Sequence, residues 1–254
     1  MSLPRFAPSL IAAVALAAGA SATAAVAAVP SSEDILARSR ATYAALASYS
    51  DSGRVLIETG NSRSPERDQH TFVTAYQAPH KFLLFFRKGP ATDDEQFVLW
   101  WEGEDIHTWW TASRTHEHYP RSQGTVPFAL ASLPTDGVTA MIPAVLYPKA
   151  LMQGPLTSFS ATREPVTEML DGKAVYKLVG EEAEAYGTGN VTGARVVTLW
   201  IDASTLLVRK IVEDTPHDSA AGDVDRETVT FEPLANPPLE SARFHFDPPT
   251  SAPN

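Results

Sequence analysis

Residues 195–213, RVVTLWIDASTLLVRKIVE, read as two strands around one turn. Val196, Thr198 and Trp200 alternate with Val197, Leu199 and Ile201, so both faces of the first strand carry β-branched or bulky side chains. Asp202, Ala203, Ser204 and Thr205 supply a polar turn in which Asp and Ser side chains bond nearby backbone N–H groups, and Leu206–Val212 returns. Arg209 and Lys210 fall within the returning strand, so part of the hairpin meets water. Such units build wide antiparallel sheets with one wet and one dry face. That architecture fits a container or platform better than a catalyst.

Upstream the same period of two recurs. Gly53–Thr59, Thr71–Tyr76, His80–Arg87, Gln96–Trp101, Ile106–Thr111 and Thr115–Tyr119 read as strands bounded by polar, Gly or Pro punctuation. Most joins between them are short, as in a hairpin meander, and the charged stretch Asn61–Gln69 reads as an exposed loop. No strand–helix alternation appears, which argues against a doubly wound parallel sheet. Before the first strand, Ser31 is placed to cap a helix whose first turn carries Glu33 and Asp34, and Ile35, Leu36, Tyr43 and Leu46 recur at helical spacing.

From Pro120 to Pro155 the period breaks, and apolar residues are cut by prolines. Proline removes a backbone donor and stops or kinks a helix, so this stretch reads as short helical turns lying across the sheet. Pro165–Leu170, the Asp171-Gly172 turn and Ala174–Gly180 then form a hairpin, and Thr228–Phe231 and Arg243–Phe246 supply further strands.

The amino terminus has the pattern of an export signal: Arg5, an apolar core over Leu10–Ala18, and small residues over Ala20–Ala28 suited to cleavage. The expected organisation is a signal at 1–28, one domain at 29–247 and a disordered tail at 248–254. With no cysteine in the sequence, disulfides, thiol catalysis and Cys-based metal sites are excluded. A formal charge of −10 argues against nucleic acid and against anionic lipid surfaces.

The order helix, strands, interrupted helical segment, strands resembles the LolA-like exported proteins of bacteria, which include periplasmic carriers of lipoproteins and related predicted periplasmic proteins. The resemblance is carried by Ile35–Tyr49 before the first strand, by Ala78-Pro79-His80-Lys81-Phe82, by Thr198–Asp202 with Leu207–Lys210, and by Phe244-His245-Phe246 before Pro248-Pro249. It implies an α+β fold: an incomplete antiparallel β-barrel with a helix and short lid helices covering an apolar cavity. It also implies a periplasmic carrier or binding protein for a lipid, an acyl chain or an acylated protein.

The aromatic set marks where such a ligand would sit. Phe82, Leu84 and Phe86 share one strand face, and the Trp100-Trp101 and Trp109-Trp110 pairs place one indole on either face. Phe82, Leu84, Phe86, Trp100, Trp109 and Trp200 are the expected lining, with Met141, Ile142, Val145 and Leu146 on the lid; an ordinary filled core satisfies the same pattern. His107, His116 and His118 are spaced to meet on one face, where three imidazoles would suit a catalytic zinc. No HExxH or G-x-S-x-G motif accompanies them, and Gly187–Asn190 lacks phosphate-loop spacing. The expectation is therefore a non-enzymatic, hydrophobic-ligand-binding monomer without cofactor. The alternatives are an envelope regulatory module that binds a protein partner and, after it, a metal-dependent hydrolase using the three histidines.

Overall fold

The computed structural model describes residues 29–89, 95–103, 105–120, 138–147, 154–182, 195–215 and 223–249. The expected signal at 1–28, most of the tail and parts of the proline-rich stretch lie outside these residues. None of the described helices is long and apolar enough to cross a membrane.

The chain begins with helix α1 (Ser32–Ala44). Ser31 caps it as its composition predicts: the Ser31 Oγ accepts from the Asp34 backbone N–H at 3.1 Å. Strands β1 (Ser48–Asn61), β2 (Glu66–Gln77), β3 (Lys81–Arg87), β4 (Gln96–Glu102), β5 (Asp105–Trp110) and β6 (Thr115–Pro120) follow as an antiparallel meander. A seven-residue helix, α2 (Val138–Ala144), contains Pro143 near its end. The second strand set comprises β7 (Phe159–Ala161), β8 (Val166–Leu170), β9 (Lys173–Glu182), β10 (Arg195–Asp202), β11 (Val208–Asp214), β12 (Asp223–Phe231) and the short β13 (Leu234–Ala235).

All of these strands join one sheet of order β6-β5-β4-β3-β2-β1-β12-β11-β10-β9-β7, with β13 beside β1 and β8 beside β9. The seam is the pairing of β1 with β12, which joins the two meanders. Among the described residues β6 and β7 remain unpaired edges, so the sheet is open, the incomplete antiparallel barrel of the α+β expectation. A twisted sheet of this width curls rather than staying flat.

Each face has its own core. The inner face gathers residues from β1–β5 and β9–β12 with α1 and the 141–146 segment into one large apolar cluster, which includes Ile35, Phe72, Phe82, Leu84, Trp101, Leu199, Ile201 and Ile211. The outer face of β2–β5 carries a smaller cluster of Ala75, Leu83, Val98, Trp100, Trp109 and Phe244. The opening hairpin follows this plan: Val197, Leu199 and Ile201 are fully buried inside, while Val196 is 38% exposed. A register shift at Trp200/Ile201 bends the strand just before the turn. Asp202 closes that turn, its Oδ1 accepting from the backbone N–H groups of Ser204 and Thr205 at 2.9 Å each.

Two local expectations change. The charged stretch Asn61–Gln69 is mostly strand, since β1 runs to Asn61 and β2 starts at Glu66. The two strands extend as a ribbon whose exposed charges pair across it, Arg67 to Glu58 at 2.9 Å. Arg243–Phe246, expected as a strand, instead begins in a 3₁₀ turn over Ser241–Phe244. The segment pairs with no strand; Phe244 plugs into the outer apolar cluster, and Leu239 and Phe246 pack beside it.

Candidate functional site

The candidate site is the inner face of β3, β4 and β5 beneath the 138–147 segment. Register decides which aromatics reach it. Phe82 lies opposite Trp101, and Trp101 opposite Ile106, so these three share the inner face with Leu84 and Phe86. Trp100 lies opposite Leu83 and His107, and Trp109 opposite Val98, on the outer face.

The expected lining therefore divides. Phe82, Leu84 and Phe86 are inside and almost wholly buried, as are Met141, Ile142 and Val145, with Leu146 partly buried against them. Trp100, Trp109 and Trp200 are corrected to the outer face. The reason is the pleat: in adjacent tryptophans on one strand only one can point inward, and here it is the second of each pair, Trp101 and Trp110. In β10 the inward residue is Ile201, while Trp200 lies outside between Lys177 and Lys210, whose ammonium groups sit 5.3 Å and 4.9 Å from its ring. Its indole N–H donates to Glu168 at 2.5 Å.

Periodicity alone missed Trp101, and it is the centre of the site. Its ring stacks on Phe82 with centroids 4.4 Å apart. Tyr147, just past α2, closes over both, edge-on to Phe82 at 5.4 Å and tilted on Trp101 at 5.6 Å, and also meets Tyr76 edge-on at 5.9 Å. Trp101 is fully buried, yet among the described residues its indole N–H has no hydrogen-bond partner. A buried indole N–H ordinarily finds an acceptor, so this apolar floor carries one unused polar hook.

Deeper in the same core lies a buried polar group. The Tyr49 hydroxyl donates to Asp51 at 2.6 Å, and Tyr43 of α1 accepts the Val208 backbone N–H at 3.0 Å, fastening the helix to β11. Burial pushes the Asp51 carboxyl up to about 6, and burial together with nearby Glu182 pushes Glu213 up to about 7.

The three histidines do come together, on the outer face. His107 Nδ1 and His116 Nε2 are 3.2 Å apart, both rings stack on Trp100, and His118 reaches Asp105 at 3.1 Å. Among the described residues, however, no group of three His, Cys, Asp or Glu side chains is placed to hold a metal ion. The rings of His107 and His116 lie nearly parallel, 25° apart, and share one hydrogen bond, so they make a stacked surface rather than a convergent ligand set. The metal-hydrolase alternative finds no support in this geometry among the described residues.

No protein-family model matches the chain, and no curated protein matches it. It is similar to several solved structures at low identity. A LolA superfamily protein from Nitrosomonas europaea is 12% identical over 86% of this chain and 99% of that one, with a TM-score of 0.36. Lipoprotein LppX from Mycobacterium tuberculosis is 14% identical over 83% and 99%, with a TM-score of 0.37. The MucA/MucB complex of Pseudomonas aeruginosa is matched at 13% identity over 85% of this chain and 60% of that one, with a TM-score of 0.40. The first of these is of the LolA-like kind that the sequence resembles, while the fold assignment itself rests on this chain's own strand order and register.

Proposed function

We propose that the protein is an exported, non-enzymatic carrier or binding protein that takes up an apolar ligand of the acyl-chain class. The ligand lies between the inner face of the sheet and the segment around α2. Phe82, Leu84 and Phe86 form the floor, and Met141, Ile142, Val145 and Leu146 line the cover. The observation that carries this reading is Trp101: fully buried in an aromatic floor, stacked on Phe82, covered by Tyr147, and left with an unsatisfied N–H. When the cover swings aside, the carbonyl or carboxylate end of an acyl ligand satisfies that N–H while its chain replaces the aromatic contacts of Tyr147. Burial of the chain supplies the affinity, at about 25 cal/mol per Å² of apolar surface removed from water. The partners in this reading are a lipid or an acylated protein, met after export through the signal at 1–28.

Native mass spectrometry of the mature chain purified without detergent tests this. A co-purified lipid, or stoichiometric uptake of an added long-chain fatty acid, supports it; a ligand-free protein that also excludes an apolar fluorescent probe refutes it.

A further inference from the structure

The outer face carries a second site. A groove of about 1300 Å³ crosses it, floored by β1, β2, β3, β11 and β12 and walled by the β8–β9 turn at Leu170–Lys173 and by Pro233, Leu234 and Arg243. Its floor is ordered by register in a way that no single strand reveals. Arg87 lies opposite Thr71, Thr71 opposite Arg54, Arg54 opposite Thr230, and Thr230 opposite Lys210. Directly opposed residues project to the same side, so these five side chains form one row across five strands, with a cation on every second strand.

With strands about 4.8 Å apart, the row is about 19 Å long and its cations repeat at about 9.6 Å. Arg54, Arg87 and Lys210 have no carboxylate within ion-pair distance among the described residues, where the other pairings are made. Arg54 is exposed, and Arg87 and Lys210 are half-buried, the Arg87 guanidinium 6.0 Å from the Phe85 ring and the Lys210 ammonium 4.9 Å from the Trp200 ring. Lys173 and Arg243 add positive charge at the walls, against Asp171 and Glu232. In a chain of net charge −10, this is a local inversion of sign. It draws anions to one place on a molecule that otherwise repels them.

We propose that this row binds an acidic segment of a partner protein in an extended, polyproline-like conformation, with a carboxylate at every third residue. In that conformation the rise of about 3.1 Å per residue returns a side chain to the same face every 9.3 Å or so, which matches the cation repeat. Of the two threonines between the cations, Thr71 offers its hydroxyl to a backbone carbonyl of the segment, while the Thr230 hydroxyl donates to the Arg54 carbonyl at 3.4 Å and helps hold the row in register. This site is separate from the apolar one, and either can fail without the other.

Fluorescence anisotropy with a labelled (Glu-Pro-Pro)4 peptide and the intact chain tests the proposal. The expected result is saturable binding that weakens with added salt, several-fold weaker in each of R54Q, R87Q and K210Q and at least about tenfold weaker in the triple variant. A control, R67Q, lies off the row and is expected to bind as the parent does, and circular dichroism checks that every variant remains folded. A peptide with its four glutamates in one block is expected to bind more weakly. Failure of (Glu-Pro-Pro)4 to bind, parental affinity in the folded triple variant, or equal affinity for the blocked peptide overturns the proposal. So does a triple variant that loses binding to vesicles of anionic phospholipid but keeps the peptide.

Discussion

The Tyr49 hydroxyl donates a 2.6 Å hydrogen bond to Asp51, two residues along the same strand, in a part of the core closed to water. The bond opposes the burial that pushes Asp51 up to about 6, and burial prevails. Glu213, across the same core, is raised to about 7 despite Arg195 at 3.5 Å. Both carboxyls hold their protons in the folded chain at pH values where the unfolded chain has released them. Their contribution to stability is thus fully present below about pH 4 and is lost as pH rises through about 6 and then 7.

Asp51→Asn and Glu213→Gln are accordingly expected to leave stability near pH 4 almost unchanged and to raise it above the parent near pH 8, by on the order of 2–3 kcal/mol each. Denaturant unfolding across that range measures the effect. Variants that are less stable than the parent at the alkaline end would contradict the assignment.

Gly53 sits at the seam, where a Cβ would stand 2.1 Å from the Thr230 carbonyl oxygen and 2.2 Å from the Phe72 ring. Phe72 is packed edge-on to Phe231 at 5.5 Å and cannot withdraw freely. Gly53→Ala is expected to destabilise the protein by about 3 kcal/mol or more, at the upper end of overpacking effects. Substitution at Gly172, whose surroundings are open but whose φ is +76°, is expected to cost less, on the order of 1 kcal/mol. Equal losses in the two variants would show that the seam is looser than described.

On the outer face, His107 is pressed against Trp100 with centroids 5.1 Å apart, and burial, with the charges of His116 and His118, lowers its proton affinity. Its imidazole is expected to titrate below the ordinary 6.5 in a proton NMR titration. A group so lowered supports the fold above that value and ceases to do so as pH falls through its own midpoint. Trp100→Ala removes the covering ring and should move the midpoint upward. A midpoint at or above 6.5 in the parent would rule this environment out.

Much of the architecture was legible in the sequence because alternation and turn chemistry act locally. The 195–213 hairpin, the Ser31 cap and the Asp171-Gly172 turn all fall where their residues place them. What was not legible depends on partners distant in sequence. The choice between Trp100 and Trp101 is invisible to a period of two when both faces of the sheet are apolar, and only the register against Phe82 makes it. Asp51 lies ahead of the Gly53–Thr59 strand that alternation marks out, yet β1 begins at Ser48 and runs straight through it, and Tyr49 bonds its buried carboxyl. The cation row joins positions 54, 87 and 210, which no linear motif connects.

The central claim is that the inner, not the outer, face meets an apolar ligand, and the five tryptophans report on it directly. Trp101 and Trp110 belong to the inner face, whereas Trp100, Trp109 and Trp200 lie outside. Titration of the purified chain with a brominated fatty acid, which quenches indole fluorescence on contact, distinguishes the two sides. The account predicts saturable quenching at about one equivalent that is largely lost in Trp101→Phe and retained in Trp100→Phe. Quenching that survives Trp101→Phe and disappears with Trp100→Phe, or no saturable quenching at all, would contradict it.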